Sequence, residues 1–441
     1  MSANAAAAAP QGKPRGKWTQ ALLANLQKMG RSLQLPIAVL PAAGILNRLG
    51  QPDVFGADGL GWTDVAKVFA GAGGALLDSA LGLPLLFCVG VAIGMAKKAD
   101  GSTALAAVVA FLVYFSVLHQ FPLDCPHEAH FSGAGLWGGV CVTGAGRASP
   151  ASFQNPGVFG GIVIGLLSAW FWVRFHRVRL VDWLGFFNGR RLVPILMSFV
   201  ALAFAVVCLW IWPPIGDALT AFSHWLSDLG AAGSGLFGVA NRALLVVGLH
   251  QFLNTFMWFQ FGSYTKPDGT VVHGDINRFL AGDPHAGQFT SGFFPVMMFA
   301  LPAAALAIAH CARPHHRKAV GGMMLSVGLT SFVTGITEPV EYSFLFIAPA
   351  LYAAHALLTG VSMAVTWGLG VHDGFSFSAG LIDYVINWGL ATKPWLIIPI
   401  GLVLAAVYYV LFRFAITKFD LPTPGREPEE VAEEMERENI R

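Results

Sequence analysis

The chain has 441 residues, of which 55% are hydrophobic and only 12% charged, with a mean hydropathy of +0.60 and a formal net charge of +2. A soluble domain carries about twice that charged fraction, and residues 192–216, 342–372 and 394–412 contain no Asp, Glu, Lys or Arg at all. A helix crosses a bilayer core of about 30 Å with about 20 apolar residues, so these runs exclude an ordinary soluble enzyme and predict an all-α polytopic membrane protein. The alternating segments of a transmembrane barrel, about ten residues each, are absent.

Residues 1–32 form an Ala-rich tail followed by KWTQALLANLQKMGRSLQL, in which Trp18, Leu22, Leu26, Met29 and Leu33 fall on one helical face. That spacing predicts an amphipathic helix lying at a membrane surface; a plain helix running into the first span is the simpler alternative. Residues 33–230 form a first half, with spans expected near 33–48, 80–96, 102–119, 157–175 and 193–213. Basic residues cluster before residue 33, at Lys97 and Lys98, and from Arg174 to Arg191, whereas 49–65 has none and 120–156 has only Arg147. Basic loops stay on the cytoplasmic side. The alternation therefore predicts a cytoplasmic N-terminus, with 50–65 and 120–156 outside, rather than a nucleic-acid surface. The five cysteines include no CxxC pair, so neither a zinc site nor any other metal site is expected. Cys125 and Cys141 share the long external loop, where an oxidising face permits a disulfide.

Residues 231–420 read differently. GLHQFLNTFMWFQFG, GQFTSGFFPVMMFALP, TGITEPVEYSFLF and HDGFSFSAGLIDY are apolar segments broken by glycine, proline and polar residues. Irregular backbone at membrane depth survives where it is buried in protein or lines a cavity, and broken helices commonly build a transporter's substrate site. The second half is therefore the expected binding half and the first its scaffold. Residues 421–441 turn polar and read as a cytoplasmic linker tail.

Three constellations in this half are candidates for chemistry. In GITEPVEY, Glu338 stands between Thr337 and Pro339 and three residues before Glu341. Proline removes a backbone donor and disfavours helix just before it, and an ionisable residue inside a membrane is a functional candidate by default. The plainer reading is a carboxylate that caps a hairpin, which suits Glu341 better than Glu338. In ANRALLVVGLHQFLNT, Arg242 and His250 are eight residues apart, about two helical turns, so both are expected to face one cavity, with Asn241, Gln251 and Asn254 adding amides. Arginine offers a planar fork to phosphate or hydroxyls and histidine a proton relay, although a single membrane histidine is often only a satisfied core residue. HGDINRFLAGDPHAG brings Asp275 and Asn277, and HDGFSFSAGLIDY brings Asp373, Ser376 and Ser378 among aromatic rings; most of these are individually consistent with solvated loop or helix packing. No nucleotide-binding glycine motif is present, and no cofactor is expected.

With those residues in view, the sequence resembles the enzyme IIC membrane subunit of the bacterial phosphoenolpyruvate-dependent sugar phosphotransferase system, glucose superfamily. The likeness is carried by QLPIAVLPAAGILNRLGQPD, NRALLVVGLHQFLNTFMWFQFG, GDINRFLAGD, SGFFPVMMFALPAAALAIAH, TGITEPVEYSFLFIAPALYAAHALLTG, GFSFSAGLIDY and the terminal LPTPGRE, over roughly residues 30–426. GDINRF together with FFPVMMF looks more like the N-acetylglucosamine branch than the glucose branch. The resemblance implies a homodimer in the bacterial cytoplasmic membrane with about ten transmembrane helices, two re-entrant hairpins and an elevator-type carrier half. It implies that Glu338 contacts the sugar hydroxyl to be phosphorylated, that His250 lies beside it, and that Arg242 serves the sugar or phosphate site. The chain after the linker holds no cysteine in a CxTRLR-like setting, so phosphocysteine on a separate IIB protein is the expected donor. Glucose as the sugar, and a proton-coupled secondary carrier, are the alternatives.

Overall fold

The structure, a computed structural model, describes residues 32, 36, 39–77, 81–121, 129–132, 140–143, 148–150, 156–246, 250–266, 269, 271–345, 348–376 and 378–426. The expected amphipathic helix before residue 33 and Cys125 lie outside these residues. The described chain falls into two compact bodies, one up to Ser223 and one from His224 onward.

The first body is helical. α1 (Leu40–Leu49), α2 (Thr63–Leu77), α3 (Gly82–Met95), α4 (Gly101–Leu118), α5 (Gly157–Phe175) and α6 (Leu192–Asp228, which leaves the body after Ser223) follow in order. α4 begins where Asp100 accepts from the backbone of Ser102 at 2.9 Å and the Thr103 hydroxyl oxygen accepts the Asp100 N–H at 3.2 Å. This reciprocal cap satisfies donors that a helix start leaves open. α3 and α5 touch backbone to backbone: a Cβ on Gly161 would lie 2.2 Å from the Pro84 carbonyl oxygen, and one on Gly165 would lie 2.5 Å from that of Cys88. Small residues at such spacing let apolar helices close without a hydrophobic driving force. Phe111, Tyr114, Phe115, Trp172 and Met197 fill the core, while Phe199, Trp210 and Ile211 are exposed on α6.

Two expectations change here. The stretch read as an external loop from 50 to 65 leads into α2, which meets α3 at a 47° bend. The span expected to stop near 213 runs on through Pro213 and Pro214; neighbours and local adjustment can re-satisfy the carbonyls that proline leaves open in an apolar helix. The long loop after α4 carries three short antiparallel strands, β1 (Ala129–Ser132), β2 (Val140–Thr143) and β3 (Ala148–Pro150), with Phe131 opposite Cys141. The Cys141 side chain is outside the described residues, and so, with Cys125, is the expected disulfide.

The second body contains α7 (Ala231–Leu245), α8 (His250–Phe259), a hairpin of β4 (Ser263–Thr265) and β5 (Val271–His273), and α9 (Asp275–Leu280). Then come α10 (Phe293–Cys311), π-helical over Val296–Ala300, α11 (Arg317–Thr334), α12 (Glu338–Leu345), α13 (Pro349–Gly368), α14 (Leu381–Asn387) and α15 (Ile397–Lys418). α7 lies directly on α13 because both carry glycine at the crossing: a Cβ on Gly238 would sit 2.7 Å from Met363 Cγ, and one on Gly360 would sit 2.7 Å from the Gly235 carbonyl oxygen. Val296, Ile308, Phe344, Tyr352, Tyr408 and Phe412 form the core.

Among the described residues, six helices are long and apolar enough to cross a membrane: α4, α5, α6 with its preceding turn, α10, α13, and α15 with its preceding turn; the bent pair α2–α3 would make a seventh. α8, α12 and α14, with 10, 8 and 7 residues, are too short to span. These short helices coincide with the segments whose glycines and prolines predicted broken elements.

Candidate functional site

The centre of the second body is the turn between α11 and α12. Gly335 ends α11 in the left-handed region, at φ 73°, and its N–H closes on Ser331. Glycine adopts that conformation without the steric cost other residues meet. α12 then starts at Glu338 with Pro339 in its first turn, a position where the missing N–H is harmless. The Thr337 carbonyl accepts the N–H groups of both Val340 and Glu341 at 3.0 Å. The half-buried Glu338 carboxylate faces the backbone N–H groups of Thr337 and Glu338.

One turn further on, Glu341 points into the core with no exposure. Its Oε1 accepts Arg242 Nη1 at 2.7 Å and contacts His355 Nε2 at 3.1 Å. Arg242 also lies over the Phe293 ring, 5.2 Å from its centroid, and Tyr352 donates its hydroxyl to the Arg242 carbonyl at 2.6 Å. On the far side of His355, Nδ1 meets the Tyr408 hydroxyl at 2.9 Å. Among the described residues, two buried atoms of the ion pair, Arg242 Nε and Glu341 Oε2, have no hydrogen-bond partner.

Arg242 and His250 do not share one helix. α7 ends at Leu245 and α8 begins at His250, so the two residues do not stand two turns apart on one helical face. The two side chains nevertheless approach from different helices: His250 lies within electrostatic reach of both Arg242 and Glu341, and Glu338 within reach of Arg242 and Glu341. Asn241 donates to Asn254, linking α7 to α8. The Gln251 side chain is outside the described residues.

The other expected polar residues hold loops. Asp275 accepts the N–H groups of Gly287 at 2.9 Å and Phe289 at 2.8 Å, bracing the chain that leads into α10. Asn277 donates to the His273 carbonyl at 3.1 Å. Ser376 and Ser378 donate their backbone N–H groups to Asp383, and the Ser378 hydroxyl donates to the Gly335 carbonyl at 2.9 Å. That last bond ties the HDGFSFSAG loop to the turn beside Glu338. A Cβ on Gly380 would lie 2.5 Å from the Gly335 nitrogen, so the two loop tips meet at van der Waals contact. The Asp373 N–H and carbonyl both bond Ser291 Oγ, at 2.7 and 2.8 Å.

His355, Tyr352 and Tyr408 had no place in the sequence reading. The signal for them was present: His355 is a polar residue inside the uncharged run 342–372, and a polar group at such depth needs a partner. Among the described residues, no group of three or more His, Cys, Asp or Glu is arranged to hold a metal. The site combines a carboxylate at a helix start, a buried guanidinium and an imidazole. Such a set can accept a proton from a hydroxyl and stabilise negative charge developing next to it.

The sequence profile of the phosphotransferase system EIIC family matches residues 30–360. The N-acetylglucosamine-specific EIIC component of Streptomyces coelicolor is 64% identical over 422 residues, covering 96% of this chain and 97% of the relative. The N-acetylglucosamine-specific EIICB component of Bacillus subtilis is 42% identical, covering 95% of this chain and 82% of the relative. In fold, the chain is similar to the crystal structure of the IIC component from the N,N'-diacetylchitobiose-specific phosphotransferase system. The TM-score is 0.53 at 14% identity, covering 92% of this chain and 95% of the other.

Proposed function

The chain belongs to the EIIC family of the phosphotransferase system, and on that premise we propose that it carries N-acetylglucosamine across the cytoplasmic membrane and presents the sugar's 6-hydroxyl to the phosphocysteine of a separate IIB protein. Glu338 carries the reading: it is a half-buried carboxylate at a broken-helix turn, within electrostatic reach of the Arg242–Glu341 pair. The choice of sugar is supported by the 64% identity to a relative named for N-acetylglucosamine.

In the proposed step the sugar oxygen attacks phosphorus as the S–P bond to cysteine breaks. The hydroxyl proton passes to Glu338, and the IIB cysteine leaves as thiolate. General-base help of this kind contributes about 10²- to 10⁴-fold. Arg242 and His250 stabilise charge on the transferring group, since phosphoryl transfer is mostly positioning and electrostatics. Asn241, Gln251, Asn254, Thr337 and Glu341 complete the sugar site. Asp275, Asn277, Ser376 and Ser378 hold the loops that border it. The chain is thus the acceptor-side component of a sugar phosphotransferase, active only with IIB. The same reading takes the protein as a homodimer joined through its first half, with about ten spans, two re-entrant hairpins, both termini cytoplasmic and an elevator motion of the second half.

The test uses the purified chain in liposomes with radiolabelled N-acetylglucosamine and phosphorylated IIB. The expected result is 6-phosphate formation that requires IIB and is lost in Glu338→Ala. Phosphorylation of glucose but not N-acetylglucosamine would overturn the substrate, and uptake of free sugar without a donor would overturn the phosphotransfer.

A further inference from the structure

His355 is fully buried and bridges two groups, Glu341 Oε1 at 3.1 Å and the Tyr408 hydroxyl at 2.9 Å. Aromatic rings fix its plane: Phe344 stands edge-on at 5.8 Å, Tyr408 at 5.8 Å and Tyr352 tilted at 5.5 Å. Tyr408 is held in turn by stacking on Phe412 at 5.7 Å. The hydrogen bonding of a neutral imidazole in this position has one self-consistent arrangement. Glu341 carries only acceptors, so Nε2 must be the donor; Nδ1 is then the acceptor and takes the Tyr408 O–H. Glu341 therefore selects the Nε2–H tautomer, and the Tyr408 hydroxyl, which also reaches the His355 carbonyl at 3.3 Å, holds the ring from its other side.

Burying a lone arginine–carboxylate pair is costly unless further hydrogen bonds satisfy it. His355 fixes Oε1 and Tyr352 fixes the Arg242 main chain, while Arg242 Nε and Glu341 Oε2, both buried, have no hydrogen-bond partner among the described residues. Buried polar atoms are nearly always paired in a purely structural network. An ion pair this incompletely satisfied depends on the groups that do hold it, and His355 is the side chain that bonds the carboxylate beside Arg242.

We propose that His355, held from behind by Tyr408, is a positioning residue that anchors Glu341 and thereby fixes the Arg242 guanidinium for the reacting sugar. This inference rests on the sugar-phosphotransfer reading of the same site. His355 touches no substrate itself; it acts through Glu341.

The experiment compares wild type, His355→Ala, His355→Gln and Tyr408→Phe in liposomes with phosphorylated IIB. Each is read for kcat, for KM, and for equilibrium binding of radiolabelled N-acetylglucosamine without donor. The expected result for His355→Ala is a kcat lowered on the order of 10- to 100-fold, the usual size for residues that orient a working group from behind. Sugar binding should weaken by a clearly smaller factor than kcat, because Glu341 also borders the sugar whereas the charge that Arg242 meets develops at the transition state. His355→Gln, which can still donate to Glu341, should recover most of the loss. Tyr408→Phe, which keeps the ring and removes only the hydroxyl, should show a smaller loss of the same kind. Binding and kcat falling by the same factor, Gln behaving as badly as Ala, or wild-type kcat in His355→Ala would each overturn the inference while wild type and Glu338→Ala behave as expected. Wild-type protein that phosphorylates no sugar would overturn the underlying reading, and the inference with it.

Discussion

Arg48 in the first body and Arg242 in the second are both almost fully buried, and both face a carboxylate, yet the two pairs close differently. Arg48 meets Asp53, five residues along the same chain segment, with Nη1 on Oδ1 at 2.7 Å and Nη2 on Oδ2 at 2.5 Å. Both carboxylate oxygens are used, and Asp53 keeps about a third of its side chain in solvent, at 35%. Arg242 meets Glu341 across 99 residues through a single oxygen, with no exposure of the carboxylate and, among the described residues, one buried atom left unbonded on each partner. A two-pronged local pair ties a helix end to the turn after it. A one-pronged distant pair instead joins two helices far apart in sequence and leans on a third group, His355, for its carboxylate. The difference shows that a buried ion pair closed by its own two partners and one that needs neighbours to complete it will respond differently to mutation.

Breaking the second pair should have the largest effect. Glu341→Leu strands a buried guanidinium, a change that costs about 3–5 kcal/mol, and it should lower the melting temperature in detergent and abolish sugar phosphorylation. The double variant Arg242→Met with Glu341→Leu removes both charges and should regain much of the stability without regaining activity. Recovery of both would reduce the pair to a fastener and erase the contrast. Arg48→Met should be milder. Asp53 can turn to water, so the loss should be about 1–3 kcal/mol, the range for a hydrogen-bonded group left without its partner. KM and kcat per folded molecule should stay at wild-type values; a changed KM would mean that the first pair also serves the substrate. Gly335→Ala should give the smallest loss of stability. Its φ of 73° costs a residue with a Cβ about 1–2 kcal/mol, and that Cβ would lie 2.6 Å from Ser378 Oγ. A small fall in melting temperature with a larger fall in phosphorylation would locate the sensitivity at the turn itself. Equal fractional losses would make the turn structural only.

Much of this was legible along the chain. Apolar runs and their flanking charges put spans at 102–119 and 157–175, and the helices occupy Gly101–Leu118 and Gly157–Phe175. Gly335 and Pro339 marked a broken helix, and α11 and α12 break there. Glu338, Arg242 and His250 stood out because a charge or imidazole in a greasy segment is expensive and calls for a reason. α2 escaped notice because its TDVAKVFAGAGGALL is rich in small residues and carries an aspartate and a lysine, so it lacks the uncharged run that marked the others. The strands after α4 are three or four residues long, too short for alternation to register.

Composition and periodicity by themselves determined that this chain is a helical membrane protein whose second half carries short, interrupted helices, because hydropathy and backbone preference are local properties of a few consecutive residues. Only the tertiary structure decided which polar side chains share a site. Asp275 belongs to a loop brace and His355 to the buried ion pair, and nothing adjacent to either in sequence distinguishes those roles. Glu341 finds Arg242 because the glycines of α7 and α13 let two backbones touch and bring residues 99 apart to 2.7 Å. Which greasy faces meet is set by shape complementarity over whole helices, and that information is spread across the chain instead of being written beside the residues it brings together.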